Sequence, residues 1–246
     1  MTAACAQARK LGLPALAFTE HCDFVSVHER QVPLDVEGYL EAVERCRARF
    51  PDLRILSGAE LGEPHLFPAE AAAGLASGRL ERILGSVHCV TFEGRLIDMS
   101  QMSSIDAARI PQLVSVHLAE TLALVESDAE FSSLAHIDYP KRYWPHGELP
   151  YVESDHEEEF RAILRGLARR GSALEVNTTR GAEPSRGLCP GPAVLRWWRE
   201  EGGQALSFGS DAHDPTKIAA GFKLAGEVAA AAGFRPSADP TAYWTR

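Results

Sequence analysis

The sequence predicts an α/β protein: a mostly parallel sheet closed into a barrel, with a helix after each strand. Two observations carry this. Short apolar runs alternate with longer amphipathic segments along the 246 residues, the mark of repeated βα units. Each run also ends in a polar or ionisable residue, and in barrels the chemistry gathers at the carboxyl ends of many strands. An open nucleotide-binding sheet concentrates its signal in a glycine-rich first turn. Neither G-x-G-x-x-G nor a Walker lysine motif occurs.

The elements follow in order. Residues 2–10 read as a helix, ahead of the first visible strand, where a β/α barrel should begin with a strand. The apolar runs are then "PALAFTEH", "LRILSGAE", "RILGSVH", "SSLAHID", "SALEVNT" and "ALSFGSDAH". Helix-like segments cover 35–49, 68–80, 104–127, 154–170, 191–202 and 215–232. In the first of these Asp35 can cap, and Val36, Tyr39, Leu40, Val43 and Cys46 recur at helical spacing. The six units make one domain over 1–246, a size that buries roughly 70–75% of the unfolded surface.

Acidic residues outnumber basic ones, 34 to 25, for a net charge of −9. That balance argues against non-specific nucleic-acid binding, and an anionic substrate would need strong local positive charge. The five cysteines are scattered, with no Cys-x-x-Cys pair, which suits a reduced, cytoplasmic setting. No secretory signal and no membrane-spanning run is visible. A small-molecule partner is the expectation, and oligomeric state is left open.

The strand ends supply His21, Glu60, His88, His136, Asn177, Asp211 and His213. Asp211 and His213 stand two apart, so on an extended segment both face one side. One such histidine alone is an ordinary polar group. Four histidines and two carboxylates, all at strand ends and without thiolate, suit zinc, manganese or iron. Ions so held lower the pKa of bound water. His28, His65, His117, His146 and His156 read as surface residues, with His65 and His146 near enough to strand ends to touch a substrate. Cys22 and Cys89 should point away from the mouth by alternation, and Trp144, Trp197 and Trp198 read as packing residues. Lys141, Arg142, Arg180 and Arg186 follow His136 and Asn177 and offer positive charge, Arg forks being suited to phosphate.

The ordered pieces "AFTEHCD", "GAELGE", "GSVH", "AHIDYPKR", "EVNTT" and "FGSDAHD" resemble the PHP (polymerase and histidinol phosphatase) phosphoesterases. "HIDYPKRY" and "EVNTT…FGSDAHDP" look most like the histidinol-phosphatase branch. The resemblance implies a distorted seven-stranded β/α barrel and a centre of up to three divalent ions, fewer in this chain. It implies that Glu60 bridges the first and second ions, that His88 and His136 complete the second, that Asp211 binds the first, and that His21 and His213 bind the third. Glu60, Asp211 and His213 would then be catalytic, with Arg142, Arg180, Arg186 and Asn177 on the substrate. The implied reaction is hydrolysis of a phosphate ester, histidinol phosphate first among them.

Two departures stand out. The family's first strand ends in His-x-His, with a further His beyond, and nothing here matches. Residue 1 would fall inside the following helix. The absent strand then reads either as a start assigned too far downstream or as a truncated barrel with an unpaired gap. The loop after Asn177, "TTRGAEPSRG", also differs from the branch, leaving open which Arg holds phosphate. The rival readings are a phosphoesterase for a nucleotide or sugar phosphate, an amidohydrolase, and a non-catalytic protein on a damaged barrel.

Overall fold

A computed structural model describes residues 1–25, 34–145, 151–180 and 187–246. In chain order these form α1 (Thr2–Lys10), β1 (Ala15–Ala17), β2 (Glu20–Asp23), α2 (Val36–Arg49), β3 (Arg54–Leu56), β4 (Gly58–Gly62), α3 (Pro68–Leu75) and β5 (Arg82–Ser86). A hairpin of β6 (Cys89–Phe92) and β7 (Arg95–Asp98) follows, then α4 (Ile110–Glu126), β8 (Ser133–Leu134) and the single turn α5 (Tyr139–Arg142). The chain ends with α6 (Glu157–Arg170), β9 (Ala173–Asn177), α7 (Pro192–Glu200), β10 (Ala205–Gly209), α8 (Phe222–Ala231) and β11 (Trp244–Thr245).

The main sheet runs β11-β10-β9-β8-β5-β4-β2. All its pairs are parallel except β10 with β11. The six parallel strands answer to the six apolar runs, and the seventh is antiparallel β11. Among the described residues β2 and β11 are the sheet's two edges, with no pairing between them.

Two runs predicted as single strands are each broken in the middle. "PALAFTEH" divides into β1 and β2, and "LRILSGAE" into β3 and β4; β1 pairs β3, and β2 pairs β4. A side chain of α2 bridges both breaks. The Tyr39 hydroxyl donates to the Phe18 carbonyl and accepts the Gly58 amide, each at 2.8 Å. It satisfies both backbone groups where the ladder shifts.

α2 starts on the Asp35 cap, which accepts the Gly38 amide, as the sequence predicts. The segment 215–232 is helical only from Phe222. Asp214 caps a 3-10 turn over Pro215–Lys217, and Gly221 turns at φ +80° before α8 begins. The segment 68–80 likewise stops at Leu75. The hairpin β6–β7, the turn α5 and strand β11 were not legible in the apolar pattern.

The larger core lies between the sheet and α4, α6 and α7, around Leu113, Leu118, Phe160, Leu164, Leu174 and Trp198. Trp197 and Trp198 are buried in it as packing residues. A second cluster joins α1 to α2 through Cys5, Ala8, Tyr39, Val43 and Cys46. Among the described residues no helix is long and apolar enough to cross a membrane.

Candidate metal centre

The parallel register brings the strand-end residues together. His21 on β2 sits directly opposite Glu60 on β4. Glu60 is buried, and its Oε1 lies 2.8 Å from His136 Nε2 and 3.1 Å from His88 Nε2. His21 Nδ1 stands 3.9 Å from Glu60 Oε2. Ligand atoms of His21, Glu60 and His88 all fall within 4.8 Å of one another. Two imidazoles and a carboxylate at that spacing fit a divalent ion of the zinc, manganese or iron type.

Charge is balanced tightly here. Burial would raise the Glu60 carboxyl, but His136 and His88 outweigh it and hold the group well below its ordinary range. Burial would lower the His88 imidazole, yet Asp23 and Glu60 push it well above its usual value. Glu60 therefore stays ionised at neutral pH, the form in which a carboxylate binds metal.

A second group forms across the mouth. Asp211 ion-pairs with Arg142, accepts from Asn177 Nδ2 at 3.3 Å, and lies 3.4 Å from His213 Nδ1. The His213 ring is 5.5 Å from the His21 ring, centroid to centroid, which joins the two groups. Both face a cavity of about 910 Å³ whose walls include His21, Glu60, His136, Asn177, Asp211 and His213. His136 (φ +21°) and Asp211 (φ +47°) hold backbone conformations that non-glycine residues seldom adopt. Such strain of roughly 1–3 kcal/mol persists only where the surroundings impose it.

Several expectations need correction. Lys141 does not face the mouth. It is buried, with Nζ 2.7 Å from Glu153 Oε1 and donating to the Leu188 carbonyl at 2.8 Å. His117 is a core residue whose Nε2 bonds the Val87 carbonyl at 3.0 Å, and burial drives its pKa down to about 3. His65 is buried against Glu120 at 2.7 Å rather than on the surface, and His156 is half-buried, 3.6 Å from Glu159. Each of these side chains is turned inward against a partner that the sequence does not reveal.

Arg142 stands at the mouth between the Tyr139 and Tyr143 rings, with Asp211 as its counter-ion. Arg180 follows Asn177 directly after β9. Arg186, His28 and His146 lie outside the described residues. Cys22 packs with the apolar cluster of Ala59, Leu61 and Ala71, away from His21 as alternation requires. The Cys89 thiol is buried and pushed up by that burial.

Four residues outside the predicted site set also stand against it. Asp23 stands 3.3 Å from His21 Nδ1 and 3.2 Å from His88 Nδ1. Glu63 accepts the His88 and Cys89 amides. Glu175 accepts the His136 amide at 3.0 Å, and burial raises its carboxyl to about 7. The Tyr139 ring packs against both His88 and His136. Asp23 was findable, since it is two residues past His21 on the same strand face. Glu63 acts through backbone amides, which a sequence does not display.

A parallel β/α scaffold on which imidazoles and carboxylates converge defines a class of proteins whose site could hold a metal ion. Residues 1–179 match the PHP domain, and the chain belongs to that family. It is 26% identical over 207 residues to the histidinol-phosphatase of Lactococcus lactis, spanning 82% of this chain and 74% of that protein. Its fold is that of a histidinol phosphate phosphatase from Lactococcus lactis solved with zinc, L-histidinol and phosphate: TM-score 0.75, 22% identity, 95% of this chain and 87% of that one. A protein from Listeria monocytogenes provisionally assigned as a histidinol phosphatase matches at TM-score 0.77 and 17% identity, covering 91% and 92% of the two chains.

Proposed function

We propose that this protein is a metal-dependent phosphomonoesterase of the histidinol-phosphatase type, working as a single domain on a small cytoplasmic substrate. The observation that carries this reading is Glu60 of β4 held between His88 and His136, which lie just past β5 and β8. Family membership and the likeness to histidinol phosphatases support it.

In this reading Glu60, His88 and His136 would hold one divalent ion, Glu60 with Asp211 another, and His21 with His213 a third. Ions bound there supply Lewis-acid activation of water and of the phosphoryl group. The chain's own residues do the rest. Arg142 and Arg180 orient phosphoryl oxygens, with Arg186 as a further candidate, and Asn177 fixes the Asp211 carboxylate. Arg142, paired with Asp211, would offer its guanidinium to phosphoryl oxygens beside that carboxylate.

The test is phosphate release from histidinol phosphate, nucleotides and sugar phosphates by the chain loaded in turn with zinc, manganese and iron. The expected result is a kcat/KM for histidinol phosphate at least about tenfold above every other ester. A nucleotide or sugar phosphate turned over faster would move the protein to another phosphoesterase specificity. Metal uptake without release of phosphate from any ester would make it non-catalytic.

A further inference from the structure

Asp23 lies at the last position of β2, directly opposite Gly62 of β4. Its carboxylate reaches over that glycine. One oxygen lies 3.2 Å from His88 Nδ1 and the other 3.3 Å from His21 Nδ1. A Cβ at position 62 would stand 2.4 Å from Asp23 Oδ1, so the niche exists only with glycine there. His88 thereby presents Nδ1 to Asp23 and Nε2 to Glu60, at 3.1 Å.

We infer that Asp23 is a positioning residue of the metal centre, using its two oxygens to orient two histidines at once. A carboxylate on the far nitrogen of a metal-binding imidazole fixes the tautomer and the ring plane and strengthens the ligand. Asp23 does this for His88, whose Nε2 lies 3.1 Å from Glu60, and it also meets His21 at Nδ1, the nitrogen nearest Glu60, while the His21 ring packs against His213. One side chain thus ties together ligands of two ion positions. The inference rests on the metal reading proposed above.

Zinc affinity measured by competition with a chromophoric chelator, on the full chain, tests it. Asp23→Ala should weaken zinc roughly 10–100-fold. Asp23→Asn keeps one accepting oxygen and should recover part of that loss. Gly62→Ala leaves Asp23 in the chain but pushes its carboxylate off His88, and should weaken zinc in the same direction. Far-UV circular dichroism in EDTA separates these effects from misfolding: Gly62→Ala displaces only the flexible end of a side chain and should keep the wild-type spectrum. Cobalt-substituted Asp23→Asn should retain the wild-type d–d bands, because a positioning residue leaves the ligand set unchanged. Altered bands would make Asp23 a direct ligand and overturn the inference. So would wild-type zinc affinity in both Asp23→Ala and Gly62→Ala. A wild-type chain that takes up no zinc would fail at an earlier step, sinking the metal reading itself.

Discussion

The Tyr39 hydroxyl accepts the Gly58 amide at 2.8 Å, at the point where β3 gives way to β4. The same hydroxyl donates to Phe18 between β1 and β2. One side chain from α2 therefore bridges the shift in both strands. It sets the start of β4, and β4 carries Glu60 to the mouth.

Tyr39→Phe keeps the ring and removes this bridge. Two largely buried backbone groups lose their partner, which costs roughly 1–3 kcal/mol. Urea unfolding should show that loss with an unchanged m-value. Because β2 and β4 shift together, metal uptake should fall as well. Stability equal to wild type would mean that the strand break is not held by Tyr39.

This bridge also shows where sequence legibility ends. The amphipathic spacing of α2 placed Tyr39 on the buried face, and the apolar runs placed His21 and Glu60 at strand ends. Neither could show that a hydroxyl would cross to a neighbouring strand pair. The candidate site was legible where a functional residue ends an apolar run, as with Glu60, His88, His136 and Asp211. It was illegible where function depends on a contact between distant segments. Lys141 read as a mouth cation until Glu153 claimed it, and His117 read as a surface residue until α4 turned it onto Val87.

Glu175 gives a prediction in pH. Burial raises its folded carboxyl to about 7, against about 4.3 in an unfolded chain. With the folded value the higher, ionisation opposes folding: stability falls as pH climbs from about 4 to about 7 and then levels off. Glu175→Gln can still accept the His136 amide but cannot ionise. In EDTA the variant should match wild type near pH 4 and exceed it by about 2–4 kcal/mol at pH 8. Urea unfolding at both values checks this, and a gap that is the same at both would remove Glu175 as its source.

Lys141 anchors the turn that carries Arg142. Its ammonium lies 2.7 Å from Glu153 Oε1, 2.8 Å from the Leu188 carbonyl and 3.7 Å from Asp138 Oδ2. Asp138 is fully buried, and burial lifts its carboxyl to about 7 even with Lys141 beside it. Removing the ammonium leaves two acidic groups without their shared cation, a loss that typically costs about 3–5 kcal/mol. Lys141→Met should therefore destabilise the chain by that order at pH 8. The deficit should shrink near pH 5, well below the Asp138 value of about 7, where that carboxyl is protonated with or without Lys141 and no longer needs a partner. Thermal unfolding at the two pH values reads both effects. A loss under about 1 kcal/mol at pH 8 would show that the cluster does not depend on Lys141, and Arg142 would then owe its place to Asp211 and the Tyr139 and Tyr143 rings.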